Sequence, residues 1–74
     1  MRYAIVIEKA DGNYSAYVPD LPGCVATGRD YGEVLHNIRE AIILHLDGMV
    51  EDGEPIPEAT TIGETVEVPR PVTA

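Results

Sequence analysis

With 74 residues the chain has room for one domain, and a domain of this size buries only about 60% of the surface its unfolded chain exposes, so its core must be small. Hydrophobic residues make up 45% of the chain and charged residues 24%, which excludes the low-apolar signature of disorder. Thirteen acidic against five basic residues give a formal net charge of -8, which repels phosphate backbones, argues against direct nucleic-acid binding and favours encounter with a basic protein.

From Tyr3 to Glu8 the chain is rich in β-branched and aromatic residues, Asp11-Gly12-Asn13 supplies a turn, and Tyr14 to Val18 can return as the second strand of a hairpin. Pro19-Asp20-Leu21-Pro22-Gly23 interrupts this pattern, after which Cys24 to Thr27 predicts a third short strand ending at Gly28. Asp30 followed three residues later by Glu33 is an N-terminal capping pattern. At 100° per residue, Leu35, Ile38, Ile42, Leu46 and Met49 form one stripe, so a helix is expected over Tyr31 to Asp52 with that stripe against the sheet. Gly53 is a suitable stop, and Glu54-Pro55-Ile56-Pro57 enforces an extended exit. Thr65 to Val68 alternates again and predicts a fourth strand, ended by Pro69-Arg70-Pro71. The expected fold class is α+β: a βββαβ antiparallel sheet with one helix packed on one face. It forms a single domain over 1–74, of which 53–74 is the exit, last strand and short tail.

This pattern leaves more apolar surface than one helix can cover. The first strand carries Ile5 and Ile7 on one side but Ala4 and Val6 on the other, and Tyr17 and Val25 add to the mixed faces. On the helix, Ile43 and Val50 share a flank, while Leu44 projects among Glu33, Asn37, Glu40 and Glu51. Val6, Tyr17, Leu21, Ile43, Leu44 and Val50 are therefore the expected protein-interface residues, for a second copy (a dimer or tetramer) or another protein.

Candidates for chemistry are few. His36 and His45 are nine residues apart, on opposite sides of the helix, and cannot chelate one ion as an i, i+4 pair would. Cys24 reads as a small buried hydrophobe, Lys9 as exposed near a turn, and Glu8, Asp20 and Asp30 as a weak candidate metal set against a background of solvated acids. No phosphate loop or nucleophile motif is present, so neither catalysis nor a metal or other cofactor is expected. No segment reaches the roughly 18 apolar residues a membrane span needs, and a cytoplasmic protein is expected.

The run Tyr17-Val18-Pro19-Asp20-Leu21-Pro22-Gly23-Cys24, then Thr27-Gly28, then Glu33-Val34-Leu35-x-Asn37-Ile38-x-Glu40-Ala41-Ile42 and the exit Gly53-Glu54-x-Ile56-Pro57 resembles the HicB antitoxin family, from about Tyr3 to Val68. The resemblance implies a partial ribonuclease-H-like fold in a prokaryotic type II toxin–antitoxin system. It also implies direct binding and neutralisation of a small basic HicA-type toxin that cleaves messenger RNA, by contacts that can mask the toxin's catalytic histidine. HicB antitoxins commonly carry a C-terminal helix-turn-helix or ribbon-helix-helix. Here the chain ends before one could form, and only Arg70 is basic past Gly53, so no C-terminal DNA-binding domain and a stand-alone HicB-like domain are expected. A homo-oligomeric scaffold without toxin or catalytic activity is the alternative, and a residual metal-dependent nuclease a weaker third.

Overall fold

The computed structural model describes residues 1–72, so the last two residues of the expected 53–74 exit and tail lie outside the described residues. Strands β1 (Val6–Ala10) and β2 (Asn13–Tyr17) form an antiparallel hairpin whose turn residues are Asp11 and Gly12, and Gly12 has φ +81°, the left-handed region that glycine enters without a Cβ clash. Strand β3 (Val25–Gly28) pairs antiparallel with β2, giving the order β1-β2-β3. The first strand begins at Val6, not Tyr3, for a simple reason: Val6 lies opposite Tyr17, and beyond Tyr17 the chain turns into a loop, leaving Tyr3 to Ile5 without a partner.

Helix α1 (Tyr31–Glu51) follows, starting where the sequence predicts and ending one residue before the expected Asp52, which is its C-cap. Asp30 Oδ1 accepts from the backbone N–H of Glu33 at 2.8 Å, the N-cap bond of the helix, and the Glu33 carboxylate accepts from the backbone N–H of Arg29 at 2.9 Å, one residue before the cap. At the other end Glu54 N donates to Met49 O at 2.9 Å and Gly53 N to Val50 O at 3.1 Å, with Gly53 at φ +71°. This is a Schellman closure, which satisfies two carbonyls the helix leaves open.

The expected α+β arrangement of antiparallel strands with one helix on one face is present, but Thr65 to Val68 does not form the fourth strand. Val66 and Val68 are 80% and 72% exposed, and no sheet edge lies alongside them. Alternation makes a segment able to pair; a strand forms only where a ladder of unbonded N–H and C=O groups is within reach.

The core is Ala16, Val18, Leu21, Cys24, Val34 and Ile38, all buried. Half of it comes from the loop after β2. There Leu21 N donates to Val18 O at 3.0 Å, Cys24 N to Leu21 O at 3.0 Å, and Val18 N to Cys24 O at 3.1 Å, while Gly23 sits at φ +85°. These bonds fold the loop back under the helix. Leu21, expected at an interface, is 0% exposed: the loop aims it inward to fill the space between β2 and α1.

The helix is seated on β3. A Cβ on Gly28 would lie 2.5 Å from the backbone nitrogen of Val34, so only glycine allows this approach. Tyr31 meets Tyr14 edge to face at 6.5 Å, and Asn37 Nδ2 donates to Thr27 O at 2.8 Å. In consequence α1 crosses β3 and β2 and does not reach β1.

Candidate protein interface

The register of the sheet sorts its side chains into two faces. Ile7, Ala16 and Ala26 form a row that packs toward the core, so the neighbouring row, Val6, Tyr17 and Val25, lies on the face away from the helix. Tyr17 and Val25 are 43% and 64% exposed, and the next row on that face is Glu8, Ser15 and Thr27. The outer face therefore offers an apolar strip at one end bordered by polar groups, the pattern of a surface that docks a protein. Val25, which the sequence set on the mixed faces without counting it among the six interface residues, belongs to this strip, and the register is what aligns it with Tyr17 and Val6.

A second apolar surface lies where α1 fails to reach β1. Met1 and Tyr3 from the N-terminal segment and Arg39, Ile42, Ile43 and Leu46 from the helix line a groove of about 240 Å³. Ile43 is 40% exposed on its rim, and Val50, seven residues on and on the same flank, is 65% exposed. Leu44, at 71% exposure, stands apart from both surfaces. The six expected residues thus divide: Val6 and Tyr17 on the sheet, Ile43 and Val50 along the groove flank, Leu44 alone, and Leu21 in the core.

Several ionisable groups have structural partners. The Asp20 carboxylate accepts the backbone N–H of Thr60 and of Thr61, each at 3.0 Å, and the two threonine hydroxyls at 3.1 and 2.8 Å. These bonds, the Thr61 backbone N–H first, hold its pKa below the ordinary aspartate value. They also clamp the segment after the helix to the loop after β2, and the Tyr3 hydroxyl, which donates to Pro57 O, adds a second tie. Nothing in the sequence paired Asp20 with Thr60 and Thr61, forty residues away. Arg29 binds Glu33 side chain to side chain at 2.9 Å and lowers the Glu33 pKa, while burial raises that of the Cys24 thiol. His36 is exposed and His45 half-buried, and Glu8, Asp20 and Asp30 do not converge: among the described residues no three His, Cys, Asp or Glu side chains gather. What these surfaces can do is bury apolar area against another chain.

Over residues 3–71 the sequence matches the family described as HicB_like antitoxin of bacterial toxin-antitoxin system. A 14.9 kDa protein from the rep-hol intergenic region of Haemophilus phage HP1 is 41% identical over 70 residues, covering 95% of this chain and 53% of that protein. A UPF0150 protein of Helicobacter pylori is 51% identical over 47 residues, 64% of this chain and 65% of the relative. One from Archaeoglobus fulgidus is 47% identical over 57 residues, 73% of this chain and 83% of the relative. The chain thus spans about half the length of the phage relative. Among solved structures, a chain of the HicA3 and HicB3 toxin-antitoxin complex superposes with a TM-score of 0.70 at 28% identity, covering 81% of this chain and 70% of that one.

Proposed function

Because the chain belongs to the HicB-like antitoxin family, we propose that it binds a basic HicA-type toxin in the cytoplasm and neutralises it by direct contact, with no catalytic step of its own. The observation that carries this reading is the outer sheet strip of Val6, Tyr17 and Val25 on a chain of net charge -8. Charge of that sign draws in a basic partner, and an apolar strip with an aromatic residue at its centre supplies the contact once encounter has occurred. A toxin that must hold RNA phosphates is basic where it works, so an acidic chain lying across that surface competes with its substrate.

The test is titration of the purified chain against a HicA-type nuclease, read as complex formation and loss of RNA cleavage. A stoichiometric complex that stops cleavage is the expected result; a nuclease that ignores the chain overturns the proposal. Tyr17→Glu places a charge in the middle of the strip and is expected to cost about 2 kcal/mol, or roughly thirtyfold in Kd. An unchanged Kd would move the contact off this face.

A further inference from the structure

The segment from Ile62 to Val68 has an uncommon combination of properties. Ile62, Val66 and Val68 are 86%, 80% and 72% exposed, and in a strand they would share one side with Glu64. Among the described residues no hydrogen bond reaches the backbone from Gly63 to Val68. The root of this arm is fixed, since Asp20 clamps Thr60 and Thr61 and Tyr3 holds Pro57. The arm then leaves the domain: the radius of gyration is 15.4 Å and the long axis 55 Å, where a compact chain of this length would have a radius of gyration near 11 Å, on the order of the usual size scaling.

The domain carries the counterpart of the arm. At the β3 edge the carbonyl of Thr27 is taken by Asn37 and the helix lies alongside, whereas β1 has β2 on one side only and, among the described residues, nothing bonded along the other. Between the N-terminal segment that leads into β1 and the helix lies the groove of Met1, Tyr3, Arg39, Ile42, Ile43 and Leu46. A strand added beside β1 and continuing along the segment before it would point alternate side chains into that groove. Arg2 and Lys9 flank Glu8 of β1, and the arm carries Glu64 and Glu67, so a strand added at this edge would bring two cations toward the acids of the arm in a molecule that is otherwise acidic.

We propose that two copies of this chain exchange arms, the Ile62 to Val68 segment of each pairing along the open β1 edge of the other with Val66 and Val68 seated in the groove. The exchange is isologous: one contact formed twice about a two-fold axis, which closes the assembly at a dimer and covers both exposed edges. Pro69 and Pro71 then end the added strand, because neither can donate to a ladder. The toxin strip lies on the opposite face of the sheet, so the dimer leaves it open.

The experiment combines light scattering across a concentration series with NMR on a mixture of isotope-labelled and unlabelled copies. The expected result is twice the monomer mass, with contacts between copies from the Val66 and Val68 methyls to Ile43 and Leu46. Val66→Pro removes a donor from an arm that is solvent-exposed in the single chain, so the fold persists, while the dimer dissociation constant is expected to rise at least about tenfold. Monomer mass at every concentration, a dimer that Val66→Pro leaves unchanged, or arm contacts found only within one copy would each overturn the exchange.

Discussion

Leu21 is the residue whose role changes most between sequence and structure. In the sequence it is an aliphatic between two prolines in an interrupting loop; in the fold it is fully buried beside Val18, Cys24, Val34 and Ile38. The Pro-Asp-Leu-Pro-Gly run is thus a plug: its turns aim one side chain into a core too small to lose it. Leu21→Ala is expected to destabilise the domain by about 2–5 kcal/mol, the cost of a lost aliphatic plus the cavity it leaves, measured as the shift of the urea midpoint at constant slope. A shift below about 1 kcal/mol would mean the neighbours close over the gap. The sequence could not reveal the inward direction, because it depends on three backbone bonds that close the loop onto its own ends.

At the scale of elements, the helix was the most legible part, since its start and stop are set by residues within a few positions of each other: Asp30 and Glu33 at one end, Gly53 at the other. The exit segment was the least legible. It is held by the Asp20 carboxylate and by the Tyr3 hydroxyl on Pro57 O, and the sign of the clamp's pH dependence follows from the lowered Asp20 pKa. A carboxylate whose folded pKa lies below its unfolded value contributes stability that is fully present above the ordinary value of 3.8 and is lost as the pH falls through the lower folded value. The backbone N–H chemical shifts of Thr60 and Thr61 are therefore expected to titrate together with a midpoint below 3.8, and in Asp20→Ala both should stand at their released values at neutral pH. A midpoint at or above the ordinary value would contradict the clamp.

For the whole molecule, charge and apolar surface have different ranges. In the proposed function the net charge of -8 would act at a distance and the strip of Val6, Tyr17 and Val25 on contact. Raising the ionic strength from about 0.1 M to about 1 M shortens the screening length from roughly 10 Å to roughly 3 Å. The association rate constant with a basic HicA-type toxin should accordingly fall at least about tenfold in stopped-flow mixing, with a smaller change in the dissociation rate constant. A rate indifferent to salt would remove charge from the encounter.

The order of the first three strands and the helix, the helix start, the hairpin and the acidic character were all readable along the chain, because each rests on composition or on residues close in sequence. The family resemblance rested on the same local runs. Three matters depended on groups far apart: the burial of Leu21, the clamp of Asp20 on Thr60 and Thr61, and the fate of Thr65 to Val68. Alternating valines identify a segment capable of being a strand, but whether it becomes one depends on where an unpaired edge stands in space. In this fold the single chain holds that edge, on β1, beyond the side of the sheet that the helix covers.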